Sequence, residues 1–426
     1  MTDARRVIYD MTRLVTRVTT DTPNGIDRVD LALAKHFAFR PDERMQALIV
    51  TFAGPRLVPS CVARAIVEGI EAWWQESDGA RGDMLYEQVV ARITGAGSST
   101  GRIVQPRVGR WRAALGAIWN YGLRLGRSPA RTAPHGAAYI HASNFPLEYG
   151  WHVRWLRARP DVTPVFFIHD LLPVEWPQYF WSREPERHRR RLEHIGQLRG
   201  RAIVASAAVA AKVKSHFAYS GYAIPILQAA LPVAAAFHAP PQPDPRLAAR
   251  PYFIVCGSIE PRKNHVLLLH VWRQLVQELG DRAPALVVAG KRGWNSESAV
   301  DLLERSRAIS RHVVEVAGLP TPALKRLMDS ARAVLAPSLA EGFGLPVAEA
   351  TAAQVPVIAA DIAPFRERPA PGLILIDPLD GMGWMEAIRE RARAPRRGVE
   401  RGAVPAVLDA AFKAEVEGFV GEPAER

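Results

Sequence analysis

Pro337-Ser-Leu-Ala-Glu-Gly-Phe-Gly-Leu-Pro-Val-Ala-Glu-Ala350 joins the apolar run Ala333–Pro337 to a helix-like stretch, Pro346–Gln354. Gly342 and Gly344 permit a tight turn and let the backbone approach a ligand closely. Pro346 suits the first helical turn, where its missing N–H costs nothing. The order strand, glycine loop, helix start points free backbone N–H groups and the positive dipole end into the loop. That arrangement suits an anion such as a diphosphate. Glu341 and Glu349, eight residues apart, can both accept hydrogen bonds from the hydroxyls of one bound molecule.

Around this stretch, short apolar runs alternate with helix-like segments. The runs are Tyr252–Cys256, Ala285–Ala289, Val313–Ala317, Ala333–Pro337, Pro356–Ala360 and Leu373–Asp377; the helices are Val266–Leu279, Ser296–Ile309, Pro322–Ala331 and Pro346–Gln354. Doubly buried strands alternating with helices predict an open parallel sheet of the Rossmann type. The first half repeats the theme at Arg6–Asp10, Ala47–Phe52, Ala138–His141, Val165–His169, Ala202–Ser206 and Ile224–Leu227. His238-Ala-Pro-Pro-Gln-Pro-Asp-Pro245, with four prolines in eight residues, predicts a stiff linker. The expectation is α/β: Rossmann-like domains at 1–238 and 251–395, a linker at 239–250, a C-terminal segment at 396–426, and a cleft between the domains.

A second constellation, Gly257-Ser-Ile-Glu-Pro-Arg-Lys-Asn-His265, follows the first strand of the second half. Arg262 offers a planar fork and Lys263 a mobile point charge, a pair suited to neutralising a diphosphate. Asn264 is a candidate cap for the next helix.

Together with Leu286-Val-Val-Ala-Gly-Lys291, Val316-Ala-Gly-Leu319 and Glu341-x7-Glu349, this motif resembles the retaining glycosyltransferases of family 4. Those enzymes have the GT-B fold and use nucleotide-sugar donors. The first half adds Thr163-Pro-Val-Phe-Phe-Ile-His-Asp-Leu-Leu-Pro173, similar to the His-Asp element of bacterial mannosyl- and rhamnosyltransferases. Tyr9-Asp-Met-Thr-Arg13 and Asn24-Gly-Ile-Asp-Arg-Val29 resemble the amino-terminal strand and glycine loop of that subgroup, with one glycine where a pair is common.

The resemblance implies roles. Arg262 and Lys263, with Gly257 and Ser258 in the same loop, would hold the donor diphosphate. Glu341, with Gly342, Phe343, Gly344 and Leu345, would grip the transferred sugar and its phosphate. Glu349 would bind the ribose, and Gly318 and Leu319 would lie beside the base. His169 would reach the sugar from the opposite wall, unless its ring is structural, and Gly25 would border donor and acceptor. The implied function is metal-independent hexosyl transfer, of mannose or a related deoxyhexose. The donor would be a nucleotide-sugar, GDP-sugar favoured, with no cofactor, and the acceptor a glycan or polyprenol-linked chain. Another GT-B enzyme (a sugar phosphorylase or nucleotide-sugar epimerase) and a non-enzymatic basic binding protein are the alternatives.

Composition narrows these further. The 426 residues carry 55 Lys and Arg against 43 Asp and Glu, a net charge of +12 that favours anionic partners. From Gln88 to Leu147 there are eight arginines and no acidic residue, with Trp111, Trp119 and Tyr121 between them. Residues 102–131 therefore read either as a basic aromatic insertion suited to an anionic membrane surface or as compositional bias. No nucleic-acid motif accompanies the charge. Asp-x-Asp, a Walker motif and a complete G-x-G-x-x-G are all missing, so metal–phosphate, ATPase and dinucleotide readings are weak. A glycosidase carboxylate pair remains as a reading of Glu341 and Glu349. The two cysteines, Cys61 and Cys256, form no CxxC pair. The first residues run into a strand-like segment without an apolar leader core, and a cytoplasmic protein is expected.

Overall fold

Most of the short apolar runs become buried strands; Ile226–Gln228 and Leu373–Ile376, at sheet edges, are only partly buried. The computed structural model describes residues 5–17, 23–40, 45–78, 80–95, 102–104, 126–394 and 409–422. Its first-half strands are β1 (Val7–Asp10), β2 (Met45–Thr51), β3 (Gly54–Val58), β4 (Ile103–Val104), β5 (Ala138–His141), β6 (Thr163–Phe167), β7 (Arg201–Val204) and β8 (Ile226–Gln228). The second half holds β9 (Tyr252–Cys256), β10 (Ala285–Ala289), β11 (Val313–Ala317), β12 (Val334–Ala336), β13 (Val357–Ala360) and β14 (Leu373–Ile376). They form two seven-stranded sheets, ordered β3-β2-β1-β5-β6-β7-β8 and β14-β13-β12-β9-β10-β11-β4. Every pairing is parallel except β2–β3, an edge hairpin turned at Gly54, where φ is +87°. Central strands such as β9 are buried along their whole length, as helices on both faces require.

Two segments cross the boundary expected at 238. Helix Ala80–Ile93 and β4 come from the first half but pack in the second core. There Tyr86, Val89 and Ile103 join Phe253 and Leu286, and Val316 and Ala317 of β11 pair with Ile103 and Val104. Arg102, from the basic stretch, forms an ion pair with Glu315 at 2.9 Å. In return, helix Asp409–Gly421 lays Phe412, Val416 and Val420 on the first core. Local sequence hides both crossings, because a two-residue strand carries no period and an apolar helix face does not name its partner.

The proline segment is strapped down as well as stiff. The Gln242 and Asp244 amides donate to Asp329 Oδ2 and Ser330 Oγ, each at 2.9 Å, and Leu247 is buried in the second core. Among the described residues no helix is long and apolar enough to cross a membrane. Residues 105–125, with most of the basic aromatic stretch, lie outside the described set.

Phe412 is fully buried, so Phe412→Ala removes a large side chain from the first core. The expected cost is about 3–5 kcal/mol in urea unfolding. A loss below about 0.5 kcal/mol, the usual surface value, would mean that the C-terminal helix is not part of that core.

Candidate active site

Strand order reverses once in each sheet, between β1 and β5 and between β9 and β12. Loops leaving two such neighbours turn to opposite faces and open a crevice at the carboxyl ends of the strands. The two motifs singled out above leave β9 and β12, so topology places them on either side of the second crevice.

After β9 the chain passes Gly257 at φ +129°, makes one 3-10 turn over Pro261–Lys263 and enters helix His265–Leu279. Asn264 does not cap that helix as expected. Its backbone is left-handed, φ +56°, and its side-chain amide donates to Pro337 O at 3.2 Å and Pro378 O at 2.9 Å. It thereby ties the β9 loop to the chain leaving β12.

Glu341 is the electrostatic centre. Lys263 Nζ pairs with its Oε1, Arg262 Nη1 with its Oε2 at 2.8 Å, and Ser338 Oγ donates to Oε1 at 2.8 Å. Arg262 also meets Glu260 Oε2 through Nε at 3.1 Å, and the Ser258 hydroxyl donates to the other Glu260 oxygen. Burial alone would raise the Glu341 pKa. The Lys263 and Arg262 charges outweigh it and bring the carboxyl down to about 2, so it is ionised at neutral pH. Burial likewise works against the Arg262 cation, but Glu341, Glu260 and Asp170 push its pKa up.

The glycine loop is pressed against the first domain. A Cβ on Gly342 would stand 2.5 Å from the His169 carbonyl oxygen, and the Gly342 carbonyl accepts from Ser206 Oγ at 2.7 Å. Phe343 is buried with the first core, and the Arg368 guanidinium sits 3.8 Å above its ring. Gly344, φ +82°, turns the chain into helix Leu345–Ala352. A small pocket remains at the crevice, lined by Cys256, Lys263, Ser338, Glu341, Gly344 and Pro346.

The other expected residues fall around this centre. Glu349 lies in the second turn of its helix, buried, with Oε1 held by Arg28 Nη1 at 3.0 Å. Gly318, φ +87°, and Leu319 follow β11, the second strand along from β9 in the sheet. Gly25 is the first residue of helix Gly25–Ala38, not a loop glycine, and faces Leu345. The His169 ring turns into its own domain and donates from Nε2 to Ala142 O at 2.9 Å. Burial lowers its pKa to about 4, so it is neutral at pH 7.

Asp170, Arg28, Glu260 and Ser338 were not singled out, although each lies in or beside a quoted motif. Burial raises the Asp170 pKa, with the Arg262 charge opposing it across the domain boundary. At the first sheet's reversal, Asp10, His141 and His152 bring metal-type ligand atoms within 4.8 Å of one another. The Asp10 Oδ2 atom is engaged by His152 Nε2 at 2.7 Å and by the Tyr139 hydroxyl at 2.6 Å. That cluster is fully buried, and among the described residues His141 Nε2 and His152 Nδ1 have no hydrogen-bond partner.

Residues 243–390, the domain that holds Arg262, Lys263, Glu341 and Glu349, match the family Glycosyl transferases group 1. This part of the chain is a glycosyl transferases group 1 domain. The chain is 30% identical to the serotype-specific mannosyltransferase WbdA of Escherichia coli, covering 53% of this chain and 32% of that protein. It is also 30% identical to the O-antigen chain mannosyltransferase RfbU of Salmonella typhimurium, over 34% of this chain and 39% of that one. It thus spans about a third of the length of these relatives. Among solved structures, Anabaena HepE in complex with UDP and glucose aligns with a TM-score of 0.59 at 12% identity, covering 98% of this chain and 99% of that one. A trehalose-phosphate synthase from Burkholderia xenovorans gives 0.52 at 12% identity, covering 80% and 84%. The fold is GT-B, as the sequence resemblance implied.

Glu341→Ala leaves Lys263 as a buried cation without its carboxylate, beside a partly buried Arg262 that keeps Glu260, and a destabilisation of about 3–5 kcal/mol is expected. Inorganic pyrophosphate should then raise the melting temperature of the variant more than that of the wild type. The stabilisation from Glu341 is complete above its unfolded pKa of about 4.3 and disappears as pH falls toward 2. No pyrophosphate shift in either protein would show that these cations do not form an anion site.

Proposed function

We propose that this protein is a retaining, metal-independent glycosyltransferase resembling family 4. It moves a hexose, mannose or a related deoxyhexose, from a nucleotide-sugar to a glycan or polyprenol-linked acceptor in surface polysaccharide synthesis. The observation that carries the reading is the Arg262–Lys263–Glu341 cluster at the β9/β12 crevice, faced by the His169–Asp170 strand end. The mannosyl assignment is supported by the names of the relatives, and the GDP-sugar preference accompanies it as an expectation.

In the proposed reaction the bond from the anomeric carbon to the diphosphate breaks, and Arg262 and Lys263 meet the charge that develops there. The acceptor oxygen bonds to the same face of that carbon, and its proton passes to the released diphosphate. Positioning and charge stabilisation supply the catalysis. The protein works in the cytoplasm, attached to the inner membrane face through the basic aromatic stretch 102–131, apart from Arg102, Ile103 and Val104, which are engaged by the second domain. That attachment rests on composition: arginines near an anionic surface contribute about 1 kcal/mol each, and the aromatic residues add apolar anchoring.

Thermal shift against GDP-, UDP- and dTDP-sugars identifies the donor, since a bound donor stabilises the fold by mass action. With it, Arg262→Ala and Lys263→Ala should each lose ~10²–10³ in turnover. Near-wild-type kinetics in both variants would remove the assignment. The same assay should be unaffected by EDTA; an absolute need for Mg²⁺ or Mn²⁺ overturns metal independence. For the membrane, flotation should require anionic vesicles, weaken with salt and fall further when Trp111 and Trp119 become Ala. Indifference of the wild type to both neutral and anionic vesicles rejects attachment.

A further inference from the structure

Helix Gly25–Ala38 sends one charged side chain across the domain boundary. Arg28 Nη1 lies 3.0 Å from Glu349 Oε1, and Nη2 donates to Thr321 Oγ1 at 3.2 Å. Thr321 opens the helix that follows Gly318 and Leu319, the segment expected beside the base, while Glu349 is the carboxylate expected on the ribose. A single guanidinium from the first domain therefore joins two separate elements of the second. Among the described residues no side chain donates to Glu349 Oε2.

Arg28 stands on a stiff base. Asn24 Oδ1 accepts from the Asp27 amide at 2.9 Å, and Asp27 Oδ2 accepts from the Asn24 amide at 3.1 Å, closing a capping box. Asp27 Oδ1 is held by Arg13 and Arg17 at 2.9 and 3.2 Å. Helix Leu345–Ala352 approaches so closely that a Cβ on Gly25 would lie 2.9 Å from Leu345 Cδ1. Burial raises the Glu349 pKa, and Arg28 opposes it. The other titratable groups near Glu349 are the Cys256 thiol on β9, which burial and then Glu349 push up, and Lys263 beyond it.

We propose that Arg28 is a positioning residue for the donor. It fixes Oε1, so that Oε2 is presented to the paired hydroxyls of a ribonucleoside diphosphate. Because Arg28 reaches from the other domain, tight nucleoside binding requires the domains to be closed. The proposal rests on the nucleotide-sugar reading above.

Calorimetry with GDP and UDP between pH 5.5 and 8.5 tests it on the wild type, Arg28→Ala, Arg28→Lys and Glu349→Gln, with unliganded melting temperatures recorded for each. Arg28→Ala should weaken the preferred nucleotide by about tenfold or more at pH 7, the value of a hydrogen bond to a charged group. The loss should grow as pH falls, because Glu349 without its cation takes up a proton at higher pH. Arg28→Lys should recover part of the affinity. In a Glu349→Gln background, Arg28→Ala should change affinity less than twofold. A pH-independent loss in Arg28→Ala, unchanged binding or tighter binding each overturns the proposal; tighter binding would show that Arg28 competes with the ligand. If the wild type binds neither nucleotide, the nucleotide-sugar reading fails and this proposal falls with it.

Discussion

A buried carboxylate side chain between two cations, Lys263 buried and Arg262 partly so, holds the second crevice together. Glu341 belongs to the loop after β12, and Arg262 and Lys263 to the loop after β9. Their pairing closes the gap that the reversal of strand order opens between those strands. Desolvating three charges would be costly if any were left unmatched, and two of them have further partners: Glu260 on Arg262, Ser338 on Glu341. With Glu341 fixed, the next residues are fixed too. Gly342 can lie against the His169 carbonyl, and Phe343 can reach the core of the other domain.

The two domains are therefore joined by side chains as well as by the proline linker. Ser206 of the first domain donates to the Gly342 carbonyl at 2.7 Å, and Glu367 of the second accepts from the Ala207 and Ala208 amides at 2.8 and 2.6 Å. The latter contact places a carboxylate on the free N–H groups of helix Ala207–Tyr219, where charge and helix dipole agree. Helix Asp409–Gly421 and the Ala80–Ile93–β4 segment add covalent crossings in both directions. Together these contacts describe a closed cleft.

Much of this was legible because parallel strands buried on both faces must be continuous apolar runs. Tyr252–Cys256, Ala285–Ala289 and Val313–Ala317 match the sequence reading residue for residue. The loops after β9 and β12 were legible for a different reason: glycine, proline and charge occur there at spacings that backbone geometry explains. The Arg28–Glu349 pair was not, since 321 residues separate its members and an arginine on a helix looks the same whether it meets water or a carboxylate. Asn264 was misread because sequence shows that a cap is available but not that the backbone will turn left-handed and send the side chain elsewhere. β3 is an edge hairpin strand whose Gly54-Pro-Arg start breaks any apolar run, and β4 has only two residues, so neither registered.

The charge arrangement at the crevice also bears on how an anion would be received there. Arg262 is held by two carboxylates and its planar fork has little freedom, so it would remain in place as a fixed wall. Among the described residues the Lys263 ammonium, on its flexible four-carbon stem, pairs with Glu341 alone. An arriving diphosphate would therefore draw Lys263 away from Glu341 before it disturbed Arg262. Glu341 would keep Arg262 and Ser338 and have one oxygen partly free for a sugar hydroxyl. On the proposed function, the carboxylate that pairs with Arg262 and Lys263 would become a sugar ligand when a diphosphate arrives. The exchange costs little, because one anion replaces another beside the same cation.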